Sequence, residues 1–386
     1  MFRTVERTLR MGPKIFAMHD HEARWQGMPR PRRSLGVLRS LLVAGVCLAG
    51  LAAGGDVRDA SAGPRVTVEV LEFPERIDAS RGAASKEGGP SGRPVPMRMH
   101  LPAGDGPFPV IVVSHGAGGD LDTHFGQAQD LALHGYAVLC VEHVGSNRDR
   151  LMRDRRPMKS LDAMIHDAQE VLNRPKDISF AIDQASRWNQ SHETLKGKLD
   201  MERVGAMGHS FGAYTTMVVC GMRPALDWLV PRVEPGKGLG PDLRDPRVKC
   251  GVALSPQGVG EPFFLKESFA SLQVPLLGIS GTKDAQQAGQ PAVNRKEAFA
   301  FWPQGQHLFV WLGNARHADF TSASGRTGRS LPSPTREDTQ PVTRAATRAF
   351  FDLHLKSQPD AAKRLTAEGL RPLLRGGIDS VEVLSK

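Results

Sequence analysis

Beyond residue 63 the chain alternates short apolar runs with longer amphipathic stretches. Eight runs read as strands: Val66–Phe73, Pro96–Leu101, Val110–Ser114, Ala137–Val144, Val204–Gly208, Gly251–Leu254, Pro275–Ser280 and Leu308–Leu312. Helical spacing recurs near residues 122–135, 160–187, 211–222 and 291–301, and again over Val342–Lys356. The last of these sets Ala346, Phe350, Phe351 and Leu353 on a packing face. A run such as Val110-Ile111-Val112-Val113 lacks polar alternation, as a strand covered on both faces does. The alternation predicts an α/β fold, a mostly parallel central sheet flanked by helices. In such sheets an active site lies at the C-terminal strand ends. The Gly/Pro/Ser-rich stretches Ser80–Pro94 and Ser322–Thr335 read as mobile loops.

The first 62 residues break this pattern. Basic Arg30-Pro31-Arg32-Arg33 precedes an uncharged run, Leu41 to Gly55, and then the small-x-small site Ala60-Ser61-Ala62. This predicts a targeting segment over 1–62 for export, periplasmic or secreted, and a single domain over 63–386. The run falls short of the ~20 residues that cross a bilayer, so no stable membrane span is expected. Arg32-Arg33-Ser34-Leu35 matches a twin-arginine signal in part, and Met28 is an alternative start. His19-Asp20-His21 has no partner ligands nearby and predicts no metal site.

Charge and composition change little. Of the net charge of +9, the segment's ten Lys/Arg and five acids carry +5. The remaining +4 calls for no nucleic-acid partner. With 386 residues, 40% hydrophobic and 24% charged, the chain suits a folded protein with a large core. Cys140, Cys220 and Cys250 fall in apolar runs and read as small buried residues. The six cations and two acids of Arg148–Lys159 read as a solvated loop, with approach to an anionic substrate or membrane surface as the alternative. Nothing in the sequence sets the oligomeric state.

The chemistry begins where the run Val204–Gly208 meets Gly208-His209-Ser210-Phe211-Gly212. A serine on a tight strand-to-helix turn between glycines has its hydroxyl pushed out of the sheet, which makes Ser210 the candidate nucleophile. A serine hydroxyl needs a base, an acid to orient that base, and donors for the oxyanion. Asp284 follows the strand Pro275–Ser280, and His317 follows Leu308–Leu312. They are the candidate acid and base, in the order Ser, Asp, His. Glu261 is the rival acid, and Asp319 serves only if its loop doubles back. His307 and His354 read as structural, and His209 as packed beneath the turn. The oxyanion donors are expected to be the amides of Phe211 and of Ala117, with Gly116 behind Ala117, in the loop His115-Gly116-Ala117-Gly118-Gly119. No GxGxxG or G-x-x-x-x-G-K-[ST] phosphate loop is present.

Several further motifs occur in order around these residues. They are Val141-Glu142-His143-Val144-Gly145-Ser146-Asn147, Arg174-Pro175-Lys176-Asp177-Ile178-Ser179-Phe180, Asp245-Pro246-Arg247-Val248-Lys249 and Ala253-Leu254-Ser255-Pro256. Together with the glycine loop and the serine turn, the ensemble over roughly 96–356 resembles the α/β-hydrolase superfamily. It is most similar to the branch holding platelet-activating-factor acetylhydrolases and dienelactone-hydrolase-like proteins. The resemblance implies a carboxylic-ester hydrolase with a Ser-His-Asp triad, no metal and no organic cofactor, acting on a small-molecule ester. Ala213 stands where a second glycine is common. Ser210 replaces the cysteine of true dienelactone hydrolases, which argues against their substrate.

Substrate contacts are expected from Phe263 and Phe264, after Ser255, and from the loop Asp120–Phe125; the two phenylalanines suit core packing equally well. Two other functions fit the same residues: an amidase or peptidase using the triad, and a non-catalytic hydrolase fold used for binding.

Overall fold

In the computed structural model, residues 67–81, 92–153, 155–286, 289–322 and 333–386 are described. The expected targeting segment lies outside them, as do residues 82–91 and 323–332 of the two expected loops. The described residues belong to one compact unit, Ala62–Lys386.

Nine strands make one sheet: β1 Val68–Phe73, β2 Met97–Pro102, β3 Phe108–Ser114, β4 Ala137–Val141, β5 Leu199–His209, β6 Val248–Leu254, β7 Leu276–Lys283, β8 Leu308–Arg316 and β9 Val381–Ser385. Their spatial order is β1-β2-β4-β3-β5-β6-β7-β8-β9. The six strands from β4 to β8 pair in parallel, while β1, β2 and β9 are antiparallel additions at the edges. This is the α/β-hydrolase fold.

Flanking helices are α1 Phe125–Leu133, α2 Arg148–Arg153, α3 Pro157–His166, α4 Ala168–Ser191, α5 Phe211–Val219, α6 Val293–Glu297 and α7 Arg336–Leu355. Successive residues of β3 feed two cores. Val110 and Val112 pack with α4 and α5, whereas Ile111 and Val113 pack with α1 and α7. Side chains alternate across a strand, so an unbroken apolar run is what two covered faces require.

Differences from the sequence reading have local causes. The stretch 160–187 divides at Asp167, whose carboxylate accepts the Gln169 amide at 2.9 Å and caps α4. The helix expected over Val342–Lys356 begins earlier, at Arg336, and accommodates Pro341 near its N-terminal end. Strand β8 continues to Arg316, with a register shift after Leu312. Strand β9, half-buried at the sheet edge, carries no apolar run that marks it. Pro175 sits inside α4 and offers no amide to the Val171 carbonyl one turn back. The buried Tyr214 hydroxyl donates to that carbonyl at 2.9 Å instead, tying α4 to α5.

Candidate active site

Ser210 links β5 to α5 with φ +56° and ψ −117°, a conformation rare for a residue with a side chain. The strain is held from several directions. The Ser210 amide donates to the Leu254 carbonyl at 2.9 Å, and its carbonyl accepts from Gln257 Nε2 at 2.8 Å and from the Tyr214 amide at 3.0 Å. The flanking glycines are there for backbone approach. A Cβ on Gly208 would overlap the Gly212 carbonyl, and one on Gly212 would overlap the Ser114 carbonyl.

Asp284 and His317 come together from the ends of β7 and β8. His317 Nδ1–H donates to Asp284 Oδ1 at 2.7 Å, which leaves Nε2 as the lone-pair nitrogen. Asp284 is fully buried, and its second oxygen accepts from Ser280 Oγ at 2.7 Å. Burial alone pushes its carboxyl up, but the charges of Arg295 and His317 outweigh that and hold it well below the usual range.

Arg295, from α6, escaped the sequence reading. It is buried, lies 3.3 Å from Asp284 Oδ1, and donates to the Asp284, Ser255 and Pro256 carbonyls at 2.9, 2.9 and 2.7 Å. In the sequence it is one cation in a short polar run, Asn294-Arg295-Lys296-Glu297, with nothing to mark it as internal. Gln257 was missed for the same reason.

His209 does not simply pack beneath the turn. Its Nε2–H donates to the His317 carbonyl at 2.9 Å, and the two rings stand 4.6 Å apart. The residue preceding Ser210 thus carries the backbone of the His317 loop. Burial, with the neighbouring His317 and His124, keeps His209 neutral by driving its pKa far down.

The loop after β3 lies against the serine turn. A Cβ on Gly116 would stand 3.5 Å from that of Ser210. His115 donates Nδ1–H to the Gly116 carbonyl at 2.7 Å and accepts the His143 amide on Nε2 at 3.0 Å. The Gly119 amide reaches the same Gly116 carbonyl at 3.0 Å. Among the described residues, no backbone acceptor takes the amide of Ala117 or of Phe211.

The other expectations sort by burial. Phe263 and Phe264 are 3% and 0% exposed, and here the structure corrects the substrate-contact expectation. Phe263 stacks on Tyr214 and Phe211, while Phe264 packs on Tyr214 and Phe269, so both belong to the core under α5. Glu261 pairs with His166 at 2.9 Å and is half exposed. Asp319 accepts the Arg316 amide at 2.8 Å and closes the turn after β8. His307 accepts the Leu276 amide, and His354 packs on Phe350. Cys140, Cys220 and Cys250 are free and buried. Among the described residues, no group of three or more His, Cys, Asp or Glu is placed to hold a metal. No described helix is long and apolar enough to cross a membrane.

No protein-family model matches the chain. Among curated proteins it is similar to a platelet-activating factor acetylhydrolase of Cavia porcellus, 26% identical over 274 residues. The match covers 60% of this chain and 53% of that protein, so the chain spans about half the length of the relative. Fold and likeness together support the α/β-hydrolase superfamily.

Proposed function

We propose that the protein is a serine carboxylic-ester hydrolase in which Ser210, His317 and Asp284 form the catalytic triad. The observation that carries this reading is the 2.7 Å bond from His317 Nδ1 to the buried Asp284, on a loop tied at 2.9 Å to His209, the neighbour of a serine held at φ +56°. In the reaction, Ser210 Oγ forms a bond to the ester carbonyl carbon while its proton passes to His317 Nε2. The carbonyl oxygen becomes an oxyanion, received by the Phe211 and Ala117 amides. Collapse breaks the bond to the alcohol, which leaves with the proton from His317. Water then attacks the acyl-enzyme by the same route, releasing acid and free Ser210.

The substrate is a small or lipid-like ester. The relative's name, an acetylhydrolase, favours a short acyl group. The test is hydrolysis of p-nitrophenyl esters of graded chain length by wild type and Ser210→Ala. Turnover greatest on short chains and lost in the variant is expected. Undiminished turnover in the variant, or cleavage of anilides in place of esters, overturns the reading.

A further inference from the structure

The motif Arg174-Pro175-Lys176-Asp177 is not used by the reaction above, yet its arginine is wholly buried behind the reacting groups. Arg174 Nη2 donates to the His115 carbonyl and to Ser114 Oγ, Nη1 to Ser146 Oγ at 2.7 Å, and Nε to Thr215 Oγ1 at 3.1 Å. Its guanidinium carbon lies 4.3 Å over the Phe211 ring. Among the described residues, no carboxylate pairs with it directly. Counter-charge reaches it through hydroxyls instead. Ser146 Oγ donates to Glu170 at 2.7 Å, and Ser114 Oγ donates to His143 Nε2 at 2.9 Å. His143 Nδ1–H in turn donates to Asp177 at 2.8 Å.

Carbonyl and amide of one trans peptide point in opposite directions, so holding the oxygen aims the N–H. The Gly116 carbonyl, held by His115 Nδ1–H and the Gly119 amide, shares its peptide with the Ala117 N–H. The His115 carbonyl, held by Arg174, shares its peptide with the Gly116 N–H. On the other side, the guanidinium covers the ring of Phe211, the residue whose amide starts α5. One buried side chain therefore grips both segments that face the reacting carbonyl. Burying an arginine among neutral acceptors is costly, and apolar side chains would pack the same space at less cost. A plane of five donors is what fixing several oxygens at once requires.

We propose that Arg174 is a positioning residue for oxyanion stabilisation, aligning the Ala117–Gly116 and Phe211 amides from behind. This rests on reading Ser210 as the nucleophile and those amides as the oxyanion donors.

The test uses Arg174→Lys, which keeps the charge and loses the fork. Competent sites are counted by stoichiometric fluorophosphonate labelling of Ser210, and kcat on p-nitrophenyl acetate is taken per labelled site. Loss of one oxyanion donor costs ~10²–10³ in turnover, so misalignment of both is expected to lower kcat by about tenfold or more. KM should stay within about twofold. Affinity for a trifluoromethyl ketone, whose serine adduct carries the oxyanion, should fall with kcat/KM. A merely structural role would reduce the number of labelled sites and leave kcat per site unchanged, and that result overturns the proposal. Ser146→Ala removes one acceptor of the same guanidinium without removing charge, and serves if Arg174→Lys does not fold. A lower kcat at constant KM is expected there, and unchanged kcat overturns the proposal. Absence of Ser210-dependent turnover in the wild type overturns the esterase reading and this assignment with it. Full wild-type turnover alongside an unaffected Arg174→Lys overturns the assignment alone.

Discussion

Arg295 lies 3.3 Å from the same Asp284 oxygen that accepts the His317 N–H, and both charged partners are buried. Its cation offsets much of the negative charge that would otherwise stabilise the His317 imidazolium. Arg295→Met should therefore strengthen the hold of Asp284 on that imidazolium. The acid limb of the kcat/KM profile should move to higher pH. The variant also leaves a buried carboxylate short of a partner, at ~3–5 kcal/mol. A pH–rate profile with a denaturant titration checks both, and an unmoved limb counts against the electrostatic account.

Asp284→Asn replaces the acceptor of His317 Nδ1–H by an amide that can hold the other tautomer. Turnover should fall by about 10⁴ with little change in stability beyond the lost charge pairing. Ser280→Ala, which removes only the bond to the second oxygen, should cost about tenfold or less. Equal losses in the two variants would show that carboxylate placement, not tautomer control, dominates.

Gly208→Ala and Gly212→Ala each press a methyl into a backbone carbonyl that cannot retreat. Each is expected to cost ~3 kcal/mol or more, read as a shift in denaturation midpoint. Gly197, at φ +76° with open space where a Cβ would stand, is the control: its alanine variant loses backbone freedom alone, ~1 kcal/mol.

Tyr214→Phe removes the donor to the Val171 carbonyl that Pro175 leaves without an amide. The expected cost is ~1–3 kcal/mol. In a Pro175→Ala background the restored amide can reach that carbonyl, so the same tyrosine change should cost much less. A double-mutant cycle by equilibrium unfolding measures the difference, and an additive cycle rejects the link.

Among the described residues, six buried histidines are held well below the usual 6.5. Burial is the leading cause in each: it takes His100, His124 and His307 down to about 4, and His115, His143 and His209 far down. Above pH 6.5 they are neutral in both states and contribute no pH dependence. Below it the unfolded chain gains protons that the folded chain refuses, so stability falls as pH falls from 6.5 towards 4. At up to ~1.4 kcal/mol per pH unit for each, the Tm should drop by at least ~10 °C between pH 7 and pH 5. Asp284 has a depressed pKa, so its contribution is present above pH 3.8 and is lost only in stronger acid. A flat Tm over pH 5–7 would contradict the burial of these imidazoles.

The strands and the serine turn were legible because their causes are local. Apolar runs name buried strands, and Gly208 records a backbone approach within five residues, to the Gly212 carbonyl. Asp284 and His317 were legible as strand-end residues, since a parallel sheet sends successive strand ends to one edge. Arg174, Gln257 and Arg295 were not, because a polar residue on a helix or loop looks alike whether it faces water or a buried carbonyl. Phe263 and Phe264 show the converse. An apolar pair after a strand end suits a pocket wall and a core equally, and only the rings of Phe211 and Tyr214 decide between them. The tie from His209 to His317 spans 108 positions and left no trace in spacing.

The hydroxyl of Ser114, the imidazole of His143 and the carboxylate of Asp177 stand in line at 2.9 and 2.8 Å, in the donor order of a catalytic relay. By side-chain order alone this trio would thus rank with the proposed Ser210, His317 and Asp284. Yet the Ser114 oxygen already accepts from Arg174, lies on an ordinary strand, and is shut off from solvent with both partners. The same three side-chain types act as masonry here, whereas in the proposed triad they are set to react. What separates them is the strained backbone of Ser210 and the exposure of the His317 ring, against the full burial of His143.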